Sequence, residues 1–354
     1  MRIISLLGPS FLARRTSSHL LQQARTIRLT HTMSATNEQQ QQQTHAAGPQ
    51  ADATATDKKK TAIPKGKREI KILMLHGYTQ SGPLFSSKTK ALAKLLTKAL
   101  GPAPLNLHPT LIYPTAPHRL RLSDIPGYVP PSSGVDGDDG NDDDEASDNW
   151  GWFRKDEATG AYRGFEAGMH AIADAVRASG GPVDGVLGFS QGGAMAALVA
   201  AALEHPYRSP PPPPSPSPSS SSSSAPSSSS SASAADYSWV SALREANGGR
   251  ALRFCVVYSG FYAPHGGFRW LYEDPPLATP SLHFLGGLDT VVDEARSRGL
   301  VERCRDPVVL VHPGGHYVPV AKDWVVPLVG WLRQRYLEEP EPDEEGKKDK
   351  KESA

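Results

Sequence analysis

Short apolar runs alternate with longer segments of helical spacing through residues 67–338. Runs of the first kind are expected to form buried strands, because they are rich in Val, Ile, Leu and Phe and end at Gly or Pro. They lie at 70–75, 111–113, 183–189, 251–258, 281–285 and 308–312. Segments of the second kind are expected to form helices, at 87–100, 162–178, 192–203 and 323–336. This alternation predicts an α/β fold, with a mostly parallel sheet and helices on both faces.

The segments outside this pattern are low in complexity. Residues 1–66 include a Gln run and a Lys run, and we expect them to be disordered and to lie outside the fold. An acidic insertion at 132–148, a Pro/Ser insertion at 209–235 and a charged tail at 339–354 are also expected to be disordered. One folded domain over 67–338, interrupted but not divided by these insertions, accounts for the rest.

The first 37 residues contain five Arg and no Asp or Glu. Arginine-rich, serine-rich and acid-free composition is typical of a mitochondrial transit peptide, here residues 1–32. The alternative is that Met33 is the start of a cytosolic protein. We expect the cytoplasm as the compartment and keep the mitochondrion as the second interpretation.

Composition narrows the class of function further. A formal net charge of +1 argues against a broad nucleic-acid-binding surface. Two cysteines in 354 residues do not form a disulfide framework, so a reducing compartment is expected. No apolar run approaches the length that crosses a bilayer. We expect no metal and no cofactor, and the sequence leaves the oligomeric state open.

The pentapeptide Gly188-Phe189-Ser190-Gln191-Gly192 has the form G-x-S-x-G. It lies between a strand-like run and a small-residue helix, the context in which α/β-hydrolases expose a nucleophilic serine on a strained turn. Ser190 is therefore the candidate nucleophile. The N–H of Gln191, at the positive end of the following helix, is a candidate oxyanion donor.

A serine hydroxyl needs a base, and the base needs an orienting acid. In α/β-hydrolases the order along the chain is Ser, then Asp or Glu, then His. Asp289 and His316 follow the strands at 281–285 and 308–312 in that order, in glycine-containing loops. Asp293 is the competing acid and His312 the competing base.

A further strand, 70–75, leads into His76-Gly77-Tyr78. A strand that ends in His-Gly is where α/β-hydrolases place the loop with the second oxyanion donor, here the N–H of Tyr78. His76 is expected to brace this loop rather than act as an acid or base. His283 lies inside a strand and is expected to be a packed histidine.

Aromatic residues lie in the loop after the strand that ends at Tyr258 and in another insertion. Trp152 and Phe153, with Phe261 and Trp270, are candidates for the apolar wall of an acyl pocket. The alternative is that they seal helices onto the sheet.

Four segments together resemble the FSH-type serine hydrolases, a fungal group related to the ovarian-cancer-associated-gene-2 protein. They read KILMLHGYTQSG, LGFSQGGAMAAL, SLHFLGGLD and HPGGHYVP, and the resemblance covers roughly residues 69–337 apart from the insertions. It implies an α/β-hydrolase fold, a triad of Ser190, Asp289 and His316, and esterase or thioesterase activity without metal or cofactor. One position departs from the family: Val292 is followed by Asp293, where a Val-Pro step is frequent, so the identity of the acid stays open.

The sequence therefore predicts a hydrolase of carboxylic esters with small or medium acyl chains. An acyl-thioesterase that releases acyl or polyketide chains uses the same chemistry with another leaving group. A hydrolase-like binding protein without turnover is the alternative from a different class. In each enzymatic case the partner is a small-molecule ester or thioester.

Overall fold

The computed structural model describes residues 25–27, 63–121, 124–125, 148–156, 158–211, 236–273 and 275–337. The acidic insertion at 132–148, apart from Asp148, lies outside these ranges. So do the Pro/Ser insertion beyond residue 211, the tail at 339–354 and most of residues 1–66. The sequence predictions for those segments remain expectations.

Eleven strands are found in the described residues. They are β1 (Arg25–Ile27), β2 (Arg68–Leu75), β3 (Leu107–Ile112), β4 (His118–Arg119), β5 (Trp150–Gly151), β6 (Arg154–Lys155), β7 (Tyr162–Arg163), β8 (Gly185–Phe189), β9 (Phe254–Tyr258), β10 (Ser281–Gly286) and β11 (Val308–His312). Seven form one sheet in the order β1-β11-β10-β9-β8-β2-β3. Every pairing in it is parallel. The remaining four form two short antiparallel ribbons, β4 with β5 and β6 with β7.

Eight α-helices are found in the same residues. They are α1 (Gly82–Lys88), α2 (Lys90–Leu100), α3 (Phe165–Ala178), α4 (Gln191–Ala202), α5 (Ser238–Ala246), α6 (Arg269–Tyr272), α7 (Glu294–Val301) and α8 (Lys322–Leu337). The sheet separates two hydrophobic cores. Helices α3, α4 and α5 cover one face, and α1, α2 and α8 cover the other. This is the three-layer α/β arrangement that the sequence predicts.

Helix α4 is buried along its whole length. A helix that is apolar on all sides must be enclosed by other elements. Its run of Ala and Gly lets it lie close to the sheet and to α5 and α6. By contrast, α2 fully buries one stripe, Leu92, Leu96 and Leu100, and leaves its other residues partly or fully exposed. The start of α4 is consequently held rigidly at the centre of the molecule, where β8 ends.

The structure divides one predicted helix and adds three. The segment 87–100 belongs to two helices, α1 and α2, joined at Thr89. The Oγ1 atom of Thr89 donates to the Phe85 carbonyl, 2.7 Å away, and lies 2.9 Å from the Tyr113 hydroxyl. Helices α5, α6 and α7 were not predicted, since all three are short.

Strand β1 is a correction to the prediction that residues 1–66 lie outside the fold. Residues 25–27 pair in parallel with β11, with Arg25 opposite Val308 and Ile27 opposite Leu310. The open edge of a sheet offers unpaired backbone N–H and C=O groups to any extended segment. Such pairing requires no pattern of side chains, so the hydrophobic periodicity gives no sign of it.

Candidate active site

The turn at Ser190 has the strained geometry that its glycine neighbours permit. Ser190 has φ 55° and ψ −119°, between the end of β8 and the start of α4. A Cβ atom at Gly188 would lie 2.0 Å from the Gly192 carbonyl oxygen, and one at Gly192 would lie 2.2 Å from the Leu75 oxygen. Neither position accepts a side chain. The two glycines therefore allow strand and helix to meet at an angle that points the serine hydroxyl away from both.

The Ser190 backbone is anchored on two sides. Its N–H donates to the Tyr258 carbonyl on the neighbouring strand β9, over 2.9 Å. Its own carbonyl accepts from the N–H groups of Gly193 and Ala194, at 2.9 and 3.1 Å. These bonds offset the strain of a positive φ and hold Ser190 in one conformation.

Three side chains meet at the carboxyl edge of the sheet. The Nε2 atom of His316 lies 2.9 Å from Ser190 Oγ, and its Nδ1 atom lies 2.8 Å from Asp289 Oδ2. A carboxylate only accepts hydrogen bonds, so Nδ1 of His316 carries the proton. In the neutral imidazole Nε2 is then an acceptor, and Ser190 Oγ–H donates to it.

The Asp289 carboxylate is positioned by its own loop. Its Oδ1 atom accepts from the N–H groups of Val291 and Val292, at 3.0 and 2.9 Å, while Oδ2 accepts from His316. Burial by itself raises the pKa of this carboxyl. The hydrogen bonds from His316 and Val292 outweigh burial, and the net pKa lies below the ordinary value. Asp289 is thus ionised at neutral pH.

The competing acid occupies a different role. Asp293 is exposed and caps α7, where its Oδ1 atom accepts from the Arg296 N–H over 2.8 Å. Asp289 is the acid that contacts His316. The departure from the Val-Pro step therefore adds a helix cap next to the site without displacing the histidine's partner.

Phe189, the residue before the serine, packs against the base. The centroid of its ring lies 4.8 Å from that of His316, and Phe85 stacks behind it at 6.5 Å. Sequence reasoning missed this contact, although an aromatic residue inside G-x-S-x-G was a visible signal. Since one face of the imidazole is covered by an apolar ring, His316 has less freedom to rotate away from Ser190.

Gln191 and the loop that precedes Tyr78 both lie close to Ser190. Gln191 opens α4, and the first N–H groups of a helix have no intrahelical partner. The loop before Tyr78 runs close to the nucleophile, since a Cβ on Gly77 would lie 3.3 Å from Ser190 Cβ. The Gln191 side chain has a second use: its amide accepts from the Trp152 N–H (2.7 Å) and donates to the Phe153 carbonyl (2.9 Å).

His76 braces the loop that leads to Tyr78 as a neutral, buried ring. Its Nε2 atom accepts from the Ala116 N–H over 3.0 Å, so the proton resides on Nδ1, which donates to the Gly77 carbonyl over 2.8 Å. Burial lowers its pKa to about 4. Both ring nitrogens are occupied by backbone partners, which leaves neither for proton transfer.

His283 is likewise a packed histidine in the interior of β10. Its Nε2 atom lies 3.1 Å from the Ser281 hydroxyl, and burial lowers its pKa to about 4. His312, the competing base, ends β11 and is buried, with its ring packed against Tyr317 and Trp324.

The four aromatic candidates for the acyl pocket lie in or against the core. Trp152 and Phe153 are 0% and 2% exposed and pack into the cluster around α3 and α4. Trp270 packs against Trp239 at the same cluster's edge and donates its indole N–H to the Gly267 carbonyl. This burial favours the alternative that Trp152 and Phe153 seal helices onto the sheet. Phe261 is nearly buried too, and the Arg296 guanidinium lies 4.6 Å from the centroid of its ring.

Apolar groups are instead exposed on the loops that carry the acid and the base. Leu288, Val291 and Tyr317 are 72%, 61% and 50% exposed. They are three of the eight exposed large hydrophobic side chains in the described part of the chain. Each lies within two positions of Asp289 or His316 in the sequence. We call these three residues the apolar rim.

Within the described ranges, no group of three or more His, Cys, Asp or Glu side chains is placed to hold a metal ion. The same residues contain no helix that is long and apolar enough to cross a membrane.

The sheet order, the serine turn and the Ser190–His316–Asp289 contacts define an α/β-hydrolase. A model of the family described as serine hydrolase (FSH1) matches residues 66–328. The chain therefore belongs to the FSH1 serine hydrolase family.

Several curated relatives are similar over most of the domain. "Family of serine hydrolases 2" of Saccharomyces cerevisiae is 28% identical over 265 residues, which are 74% of this chain and 97% of the relative. "Esterase OVCA2" of Homo sapiens is 30% identical over 266 residues, 72% of this chain and 92% of the relative. A Schizosaccharomyces pombe protein named "Dihydrofolate reductase" is 30% identical over 270 residues, 71% of this chain. This chain spans only 44% of that longer protein.

Among solved structures, Zea mays acyl-protein thioesterase 2 is 18% identical, with a TM-score of 0.42. The similarity covers 77% of this chain and 96% of that one. At this identity and TM-score, the similarity supports no conclusion about the substrate of this chain.

Proposed function

We propose that this protein hydrolyses carboxylic esters with small or medium acyl chains through an acyl-enzyme formed on Ser190. The observation that carries the proposal is the hydrogen-bonded series from Ser190 Oγ through His316 to Asp289. Membership of a serine hydrolase family supports the same chemistry.

The geometry supports a two-step mechanism. In the first step Ser190 Oγ attacks the ester carbonyl while Nε2 of His316 takes its proton, and the C–O bond to the alcohol then breaks as His316 returns the proton to the leaving oxygen. In the second step water attacks the acyl-enzyme, and His316 again accepts and returns one proton. Asp289 stabilises the imidazolium that forms in each step.

The negative oxygen of each tetrahedral intermediate requires donors that are already in place. We assign this role to the N–H groups of Tyr78 and Gln191. The position of Gln191 at the start of α4 supports the assignment, since the helix dipole adds positive potential there. The Gln191 side chain, held by Trp152 and Phe153, keeps this first turn fixed.

An apolar acyl group fits the surroundings of the triad. The apolar rim supplies hydrophobic contact area on the two loops that carry Asp289 and His316. Substrates that remove this area from water gain binding free energy in proportion to the area buried.

A labelling experiment with a substrate series tests the proposal. A fluorophosphonate probe should modify the wild-type protein at Ser190, as detected by peptide mass, and should not modify Ser190→Ala. Initial rates on p-nitrophenyl acetate, butyrate, hexanoate and octanoate should then exceed those on matched acyl-CoA thioesters. Faster turnover of the thioesters would assign the protein as an acyl-thioesterase. Labelling with no turnover of either series, or no labelling, would favour a binding protein.

We also propose the cytoplasm as the compartment. Two buried cysteines that are not paired, Cys255 and Cys304, support a reducing environment. A fluorescent protein fused after residue 354 should be diffuse, both for the full chain and for a chain that starts at Met33. Mitochondrial signal that depends on residues 1–32 would contradict this assignment.

A further inference from the structure

One buried residue, His312, bonds to the loop of the base through its side chain and to the loop of the acid through its backbone carbonyl. His312 is the last residue of β11, and the turn 313–315 connects it to His316. Its Nδ1 atom accepts from the Gly314 N–H over 3.2 Å. Its carbonyl accepts from the Gly287 N–H over 2.7 Å, in the loop that leads to Asp289.

The two loops lie in direct contact at this point. The Leu288 N–H donates to the Gly314 carbonyl over 3.0 Å. A Cβ atom on Gly286 would lie 2.5 Å from the Gly315 oxygen and 3.2 Å from Asp289 Cβ. The position of the turn 313–315 therefore determines where His316 lies. It also determines how closely the Asp289 loop approaches His316.

The His312 bond to Gly314 requires an uncharged ring. Since Nδ1 accepts a hydrogen bond, the single proton of the imidazole is on Nε2. That atom is buried and has no hydrogen-bond partner among the described residues. The ring lies between Tyr317 and Trp324, with centroids 5.0 and 5.7 Å away. Burial lowers the pKa of His312, and the negative charge of Asp289 offsets only part of this effect.

A buried N–H without a partner carries a desolvation penalty that an apolar side chain of similar size would avoid. Stability alone therefore does not account for a histidine at this position. The useful atom is Nδ1, which accepts the N–H two residues ahead, as an Asn or Asp side chain does in an Asx-turn.

Resting on the proposed function, we propose that His312 is a positioning residue for catalysis. Through Nδ1 it holds the turn 313–315 so that His316 stays within hydrogen-bond reach of both Ser190 and Asp289.

Two variants of His312 separate this role from packing. His312→Phe keeps a ring between Tyr317 and Trp324 but removes the acceptor. His312→Asn keeps an acceptor at the δ1 position but removes the ring. If Nδ1 positions the turn, the Phe variant loses kcat by about 10- to 100-fold with KM little changed, because small displacements of catalytic groups have effects of this size. The Asn variant keeps most of the wild-type kcat while its Tm falls.

The Phe variant should also label more slowly with the fluorophosphonate probe, in proportion to its loss of kcat. Its Tm should stay near wild type, since losing the Gly314 bond is offset by removing the unpartnered Nε2–H. His283→Phe is the matched control, a buried histidine in β10 whose contact is with Ser281. That variant should change Tm and leave kcat unchanged.

A Phe variant with wild-type kcat, or an Asn variant that loses as much kcat as the Phe variant, would overturn the proposal. If His312→Phe does not fold, His312→Leu takes its place with the same expectation. Failure of the proposed function is separate, since wild-type protein would then turn over none of the esters.

Discussion

The Oγ atom of Ser190 lies 2.9 Å from Nε2 of His316, although 126 positions separate the two residues in the chain. The contact exists because β8 and β11 are parallel strands of one sheet, so the loops after them emerge at the same edge. Two strands, β9 and β10, lie between them, and the loop after β10 brings Asp289 to the same place. Catalytic geometry here follows directly from the order of strands.

Replacing Ser190 by alanine should abolish ester turnover and preserve the fold. Alanine accepts the same backbone conformation about as well as serine, and the change removes one hydroxyl, whose partner is His316. We expect kcat to fall by a factor on the order of 10⁴–10⁶, measured on p-nitrophenyl butyrate, with unchanged far-ultraviolet circular dichroism. Activity within tenfold of wild type would exclude Ser190 as the nucleophile.

The two aspartates near the base should respond very differently to amide substitution. Asp289→Asn removes the acceptor that fixes the His316 tautomer, and we expect kcat to fall by about 10⁴-fold. Asp293→Asn is the matched control, since Asn caps a helix about as well as Asp. That variant should keep both kcat and Tm. If Asp293→Asn were the more damaging change, the acid would have been assigned wrongly.

Stability should fall as the pH is lowered from about 7 toward 4. His76 and His283 have pKa values of about 4 in the folded protein, against 6.5 for an unperturbed histidine. Between these values the unfolded chain binds more protons, so the free energy of unfolding decreases on acidification. Each group contributes up to about 3 kcal/mol. Asp289 acts in the same direction only below its ordinary pKa of 3.8, because its folded pKa is lowered.

Urea unfolding at pH 7.5, 6.5, 5.5 and 4.5 measures this slope. His283→Phe removes one of the two titrating histidines. The slope of unfolding free energy against pH should then decrease by the contribution of that histidine. A variant with the slope of wild type would show that His283 is protonated in the folded state.

The apolar rim should favour longer acyl chains. We expect Leu288→Ala and Tyr317→Ala to lower kcat/KM more for octanoyl than for acetyl esters. The difference should grow with chain length, since each buried methylene contributes about 0.8 kcal/mol. Val326→Ala is the control, because Val326 is also an exposed apolar residue but lies on α8. Equal losses for acetyl and octanoyl esters would remove the rim from the binding site.

Phe261 and Trp270 distinguish a pocket wall from the core. Trp270 packs with Trp239 and Tyr237. Trp270→Ala should therefore lower Tm and should reduce kcat/KM by the same factor for every acyl length. Phe261→Ala removes the ring that lies under the Arg296 guanidinium. Its kcat/KM is measured on the same series of esters. If the loss of kcat/KM increases with acyl length for either variant, that residue lines the acyl pocket.

Much of the sheet was readable from the sequence because its strands are buried on both faces. The run 308–312 is strand β11 in the structure. Its side chains must be mostly apolar because other elements cover both faces of the sheet. The serine turn was readable for a related reason, since steric limits at Gly188 and Gly192 leave almost no other residues acceptable. Strand β1 was not readable, because edge pairing uses backbone groups and leaves no side-chain pattern.

By itself, the sequence determined the class of fold, the serine at the turn and the order of acid and base along the chain. These depend on local sterics and on burial, which act on each segment separately. Only the tertiary structure decided that Asp289 contacts His316 while Asp293 caps α7, because both aspartates occupy similar local sequence and differ only in what lies opposite. The same holds for Trp152, Phe153 and Phe189. An aromatic residue at or after the end of a strand suits a pocket or a core equally well, and the distinction depends on which distant elements pack against it.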